Sequence, residues 1–186
     1  MRLIKSEELD TLDIKNSILI NAAKIGDLKI VKRAINIGAD VNARNGLAIF
    51  NAVKNGHRKV VKYLLIVGAD TFNLSSVLSW AAFRGDLKTI KYFLKFIVYS
   101  PSDLSHALVE AVNLGNFKIV KYLVKKGADI HFNYDKALQI ACTEGHFKIV
   151  KYLVRKGADV NADDGAPLVC AENGGHKNII QLLISS

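Results

Sequence analysis

Residues 137–161 read ALQIACTEGHFKIVKYLVRKGADVN, and this stretch decides the fold because its pattern returns along the whole chain. Gly145 at its centre has counterparts in Gly26, Gly56, Gly85, Gly115 and Gly175, so the six glycines stand 30, 29, 30, 30 and 30 residues apart. Seven residues before each is a branched aliphatic: Leu19, Ile49, Leu78, Leu108, Leu138 and Leu168. Four before is an alanine: Ala22, Ala52, Ala81, Ala111, Ala141 and Ala171. An apolar residue three places ahead of a small one marks a single buried helical stripe, and the small side chain admits a close neighbour. The glycine ends this first, shorter helix, because the left-handed backbone just past a helix end penalises a Cβ.

A second helix follows at once. Asp27, Asp86 and Asn116 stand next to their glycines and are suited to N-cap it, whereas His57, His146 and His176 occupy the same place in three other units. Its core stripe runs Ile30-Val31, Val60-Val61, Thr89-Ile90, Ile119-Val120, Ile149-Val150 and Ile179-Ile180, followed by pairs such as Leu64-Leu65, Phe93-Leu94, Leu123-Val124 and Leu153-Val154. The spacing is that of a helix with one buried face. Four units close with Gly-Ala-Asp, at 38–40, 68–70, 127–129 and 157–159, a second glycine-led stop and turn. A period between 20 and 50 residues means stacked units that bury their apolar faces only against one another, giving a solenoid with a long surface.

On these residues the chain resembles the ankyrin-repeat proteins. The resemblance covers about nine-tenths of the sequence, with the order helix, turn, helix and hairpin in register in six units. It implies an all-α, ankyrin-type helix-turn-helix solenoid of about six repeats, at 17–44, 45–73, 74–103, 104–133, 134–163 and 164–186. Residues 1–16 form an irregular or short-helical N-terminal cap before the repeat domain at 17–186. Two departures bear on the fold. The family repeat is about 33 residues, and the three missing here fall after Gly-Ala-Asp, so the hairpin fingers are expected to be shortened. The family's Thr-Pro-Leu-His tetrapeptide is degraded to forms such as Leu47-Ala48-Ile49-Phe50, with Ala166-Pro167-Leu168-Val169 nearest to it, so histidine bonding between units lacks its usual residue. Short repeats rich in Lys and Ile, with the run Lys-Tyr-Leu-Val at 121–124 and 151–154, are similar to those of giant DNA viruses of amoebae.

The third unit breaks the pattern, with Phe96-Ile97-Val98-Tyr99-Ser100-Pro101-Ser102-Asp103 in place of the glycine stop. Pro101 biases Ser100 away from helix, so a turn is expected there with Ser102 or Asp103 capping the next helix. The apolar residues either form a contact patch or bend, or tuck into the core of a degenerate repeat; the second reading is preferred.

Composition narrows the function classes. No apolar stretch approaches the roughly 18 residues of a membrane helix. Residues 1–12 mix Arg2, Lys5, Glu7, Glu8 and Asp10 into the apolar residues, unlike a secretory signal. An intracellular protein, in cytoplasm or nucleus, is the expectation, within a host cell if the source is viral. Cys142 and Cys170 fall at positions where other units place core residues and are expected to be buried thiols, without a disulfide or metal role. No cofactor is expected. Histidines, aspartates and cysteines do not converge on a nucleophile and base, and no phosphate-cradling loop is present, so an enzyme is not expected. The aspartates of Gly-Ala-Asp are read as satisfying backbone donors in the turn.

Two surfaces remain. By the family resemblance, the two residues before each marker glycine face a partner from the concave side: Lys24 and Ile25, Lys54 and Asn55, Phe83 and Arg84, Asn113 and Leu114, Thr143 and Glu144, and Asn173-Gly174. These pairs differ from unit to unit while the frame around them repeats, which suits an interface, although single exposed apolar residues are also ordinary surface. On the convex side, Lys29, Lys59, Lys88, Lys118 and Lys148 align with Lys32, Lys62, Lys91, Lys121 and Lys151 in two columns that carry much of the net charge of +9. Such a ladder attracts polyanions, nucleic acid or an acidic surface. It equally serves as a solvated face, and that reading is preferred, because twenty lysines against six arginines lack the forked geometry for phosphate and base edges. Tyr63, Tyr92, Tyr122 and Tyr152 form a further column read as packing. The function expected is protein binding by a monomer, possessing no membrane span, with a viral effector acting on a host protein as the narrower form. Electrostatic binding of nucleic acid or acidic surfaces is the alternative, and a structural or homotypic assembly element a weaker third.

Overall fold

The computed structural model describes the backbone of residues 4–70 and 74–186, and the side chains of 11–70 and 75–186. Twelve helices and no strand occur among the described residues. They are α1 (Ile4–Ile25), α2 (Leu28–Asn36), α3 (Ala43–Lys54), α4 (Arg58–Ile66), α5 (Leu74–Phe83), α6 (Leu87–Phe96), α7 (Pro101–Asn113), α8 (Phe117–Lys125), α9 (Phe132–Thr143), α10 (Phe147–Arg155), α11 (Ala162–Asn173) and α12 (Lys177–Ile184). The chain divides into two compact units, 1–77 with 88–98, and 78–87 with 99–186. In the first, α1 packs on α2 and α3, and α3 on α4; in the second, α7 packs on α8 and α9, α9 on α10 and α11, and α11 on α12.

The core follows the repeated pattern. Every alanine of the column from Ala22 to Ala171 is buried, as are Leu19, Ile49, Leu78, Leu108 and Leu138. Large side chains fill the space the alanines leave, with Ile49, Leu64, Ile90 and Phe93 fully buried in the first unit and Leu104, Ile119, Leu123 and Ile149 in the second. Close packing of this kind makes each alanine as necessary as its large neighbour. Ile30, expected in the core stripe, is exposed instead.

The N-terminal segment corrects the expected cap. One continuous helix runs from Ile4 to Ile25, and the boundary drawn at residue 16 falls inside it. The boundary between the second and third repeats lies at 71–73, outside the described residues.

The connections are short, as expected. Three of them end in three successive left-handed residues, at 44–46, 133–135 and 163–165, which fall at the start of the spans given for α3, α9 and α11 and precede their regular helical turns. A tight left-handed turn reverses the chain in fewer residues than a hairpin, at about 1–2 kcal/mol for each residue with a Cβ. Asn, Asp and Gly fill seven of these nine places, the residue types that tolerate the conformation most readily. Of the other two, Arg44 is held by Asp13 at 2.9 and 3.2 Å through its Nη2, while Tyr134 is exposed.

Where the third unit lacks its glycine, a different device begins the next helix. The Ser100 hydroxyl accepts from the Asp103 N–H, and the Asp103 carboxylate accepts from the Ser100 N–H at 2.8 Å, with Pro101 at the first helical position. This is a capping box. Ser100 is therefore the cap, and Asp103 supplies the reciprocal bond rather than the cap itself. The apolar residues ahead of it do not tuck into the core: Phe96 and Val98 are exposed. With Ile97, Leu65, Ala69 and Asn42 they line an open cleft of about 560 Å³ in the first unit.

Candidate functional site

Each candidate pair sits at the C-terminal end of a first helix, where the last turn and the glycine behind it project side chains away from the core. In the first unit Lys24 and Ile25 end α1, and Lys54 ends α3 with Asn55 just past it; in the second Phe83, Asn113 and Thr143 end α5, α7 and α9, with Arg84, Leu114 and Glu144 just past them. All ten are exposed. Ile25, Phe83 and Leu114 remain 68%, 52% and 46% exposed, so three apolar side chains of some size stand open to solvent without a packing reason. Trp80 meets Phe83 edge to face, with ring centroids 5.5 Å apart, and steadies the one aromatic among the ten. Two polar members fold back onto their own helix: the Asn55 amide donates to the Asn51 carbonyl at 2.9 Å and the Thr143 hydroxyl to the Gln139 carbonyl at 3.0 Å.

The turn histidines hold three of these pairs in place. The Nε2 of His57 lies 3.0 Å from the Lys24 carbonyl, that of His146 3.3 Å from Asn113, and that of His176 2.9 Å from Thr143. A carbonyl oxygen only accepts, so Nε2 carries the proton in all three. Each histidine thus ties its own repeat to the first residue of the pair in the repeat before. None of the three makes a side-chain cap, whereas Asp27 and Asn116 do, accepting from Ile30 and Ile119 N–H at 3.0 and 3.4 Å. Bonding between units is therefore present despite the degraded tetrapeptide, supplied by the residue after the marker glycine. The sequence carried this signal in the recurring Gly-His, but a short-range reading of that dipeptide points only to its own turn.

The aspartates behave as expected where they are described. Asp40, Asp129 and Asp159 each accept from the backbone N–H two residues on at 2.9 Å. Their own N–H groups donate to Asn16, Ser105 and Asp135, which fastens each turn to a first helix, in the middle of α1 and near the starts of α7 and α9.

The ten lysines of the alternative face are likewise all exposed. Several are engaged with aromatic rings. Lys32 Nζ lies 5.5 Å from the Tyr63 centroid and Lys62 6.0 Å from that of Tyr92, each reaching a ring of the following repeat. Lys121 covers Phe117 at 5.5 Å. Contacts of this kind contribute about 0.5–1 kcal/mol at exposed sites. The tyrosine column is half-buried, as packing requires, and it also seats part of the ladder.

Cys142 is buried, but Cys170, expected to match it, is only half-buried. Burial pushes the Cys142 thiol up to about 12, with the neighbouring Cys170 adding to the effect, so it stays protonated and unreactive. Burial likewise raises Tyr152. Among the described residues no helix is long and apolar enough to cross a membrane.

Comparison with known proteins agrees with this architecture. Three copies of the family pattern described as ankyrin repeats match residues 2–75, 49–134 and 111–186. Among solved structures, the human ASB11 ankyrin repeat domain is similar at 26% identity and a TM-score of 0.74, over 90% of this chain and 82% of that one. EF0377, described as an ankyrin repeat protein, is similar at 26% identity and a TM-score of 0.76, over 91% of this chain and 97% of that one. A search of curated proteins returns no match.

Proposed function

The chain belongs to the ankyrin-repeat family, and from that premise we propose that it binds a protein partner through the pairs that precede the marker glycines. Ankyrin repeats serve generally as protein–protein interaction modules, a typical non-enzymatic scaffold. The observation that carries the assignment to these pairs is their combination of exposure and fixation. Ile25, Phe83 and Leu114 are open to solvent, while the carbonyls of Lys24, Asn113 and Thr143 are bonded by histidines of the next repeat. A surface held rigid before binding loses little entropy on association. By the family resemblance this is the concave face. Its apolar side chains among polar neighbours suit the core of a protein interface, where aromatic residues concentrate much of the energy.

The narrower form of the proposal is a viral effector inside a host cell, capturing a host protein. It rests on the 30-residue, Lys- and Ile-rich unit alone. The competing assignment to the lysine ladder is weakened because Tyr63 and Tyr92 already carry lysine ammonium groups over their rings, leaving those faces closed to stacked bases.

The test is affinity capture with three forms of the intact chain, with and without nuclease, at low and moderate salt. The forms are the natural sequence, a charge-reversed ladder (Lys29, Lys59, Lys88, Lys118 and Lys148 to Glu), and Phe83→Ala with Arg84→Ala and Leu114→Ala. A discrete protein retained by the first two and lost by the third is expected. Capture lost with nuclease, salt or charge reversal, and indifferent to the triple substitution, overturns the assignment in favour of the ladder.

A further inference from the structure

In the first unit α4 and α6 expose Arg58, Lys59, Lys62, Lys88, Lys91 and Lys95, and neither helix holds an acidic residue. The two helices are neighbours, since Lys62 Nζ lies over the Tyr92 ring. Where they end, the surface changes character: Ile66 is 61% exposed, Phe96 49% and Val98 97%. The same places in the second unit are basic or buried. Ten residues past the marker glycine, Lys125 and Arg155 stand where Ile66 does, and eleven past, Lys126 and Lys156 stand where Phe96 does. Thirteen past, Ala69, Ala128 and Ala158 are buried, whereas Val98 is almost wholly open to solvent. Three apolar side chains therefore occupy one edge of a basic face without a packing reason.

We propose that this edge of the first unit docks on an anionic membrane surface, with Ile66, Phe96 and Val98 entering the hydrocarbon boundary and the lysines of α4 and α6 meeting the headgroups. The dimensions agree. Lys59, Lys62 and Ile66 are spaced three and four residues apart and share one stripe of α4. At 1.5 Å per residue, Lys62 stands about 6 Å and Lys59 about 10 Å back from the level of Ile66, and the headgroup layer is about 5–7 Å deep on each side of a bilayer. With the apolar tips at the hydrocarbon boundary, one lysine row lies among the headgroups and the next at their outer edge, where long stems let the ammonium groups adjust. Lys95 Nζ lies 5.5 Å from the Phe96 centroid, so a cation accompanies that ring to the interface. Asp70, beside Phe96 and Val98, is set against six positive charges. The chemistry favours lipid over other polyanions. Protein interfaces are depleted in lysine and enriched in arginine, yet five of these six basic residues are lysines, point charges that need no forked geometry. A phosphate backbone would leave isoleucine and valine uncovered. No described helix is long and apolar enough to cross a membrane, so the contact is peripheral and reversible, on a face separate from the pairs that end the first helices.

The experiment is sedimentation of the full chain with vesicles of phosphatidylcholine, alone or with about one-third phosphatidylserine, at low and high salt. The natural chain should bind the anionic vesicles, release them at high salt and ignore the neutral ones. Ile66→Gln with Val98→Gln leaves the charge unchanged and should weaken binding at least about fivefold. Lys59→Gln with Lys62→Gln should weaken it at least about tenfold. Melting curves check that both variants fold, and Val98→Gln alone, at an almost wholly exposed residue, gives a second reading of the apolar contribution. A natural chain that does not bind anionic vesicles overturns the proposal. So does binding indifferent to the apolar substitutions, or tighter binding to duplex DNA that they leave unchanged, either of which reduces the face to a charge-only site. Self-association of the natural chain that the apolar substitutions abolish and vesicles do not affect overturns it too, in favour of a contact between copies.

Discussion

Replacing Gly115 with alanine tests how the repeats are locked together. Gly115 has φ +64°, and a Cβ there would lie 2.8 Å from Cε1 and 3.0 Å from Nε2 of His146. That Nε2 is the atom bonded to the Asn113 carbonyl at 3.3 Å. The substitution incurs two costs: about 1–2 kcal/mol for an L-residue in the left-handed well, and about 0.5–1.5 kcal/mol for the hydrogen bond lost as the ring moves aside. Together they come to about 1.5–3.5 kcal/mol. Gly175 supplies the comparison, since its φ is +69° and nothing lies within 4 Å of its Cβ direction. Gly175→Ala should incur only the backbone cost. Urea unfolding followed by two probes gives both values, and repeating Gly115→Ala in a His146→Ala background should recover about 1 kcal/mol of coupling. Equal costs at the two glycines, or no coupling, would refute the claim that the histidine ring packs on the glycine and locks adjacent repeats.

Three further outcomes are expected. Ser100→Ala should destabilise by about 1 kcal/mol in the same unfolding experiment, because it removes the capping-box hydroxyl at the one junction that lacks a glycine stop; an unchanged midpoint would show that Asp103 suffices. A thiol reagent at mildly alkaline pH should modify Cys170 and spare Cys142 until the chain is denatured. Because the folded state raises the Cys142 thiol from 9.0 to about 12, it favours the protonated form, and this contribution to stability is complete below about pH 9 and lost as pH rises towards 12. Finally, Ala111→Leu should cost about 1–3 kcal/mol by overpacking a fully buried contact, whereas Lys118→Gln on the exposed face should change stability by no more than about 0.5 kcal/mol; similar melting temperatures for the two would contradict the helix-pair packing.

The repeat and its class were determined by the sequence alone, because they rest on interactions of short range. A glycine every thirty residues, a leucine seven before it and an alanine four before it describe one helix and its stop, and the buried alanine column agrees at every position. The exposure of the candidate pairs was legible for the same reason, since they lie on the last turn opposite the core stripe. Tertiary structure decided what depends on a neighbour. His57 differs from Asp27 only in its side chain, yet one reaches back 33 residues to the Lys24 carbonyl and the other caps its own helix. Sequence distance gives no measure of such a reach. Ile30 carries the core pattern of its second helix and is nonetheless exposed, while Val60, Ile119 and Ile149 at the same place are buried, because burial belongs to the contact and not to the residue. The missing finger residues signalled a shorter connection, but the left-handed turn that replaces the hairpin depends on where the next helix must begin. That constraint comes from the stacked helices, which only the folded chain contains.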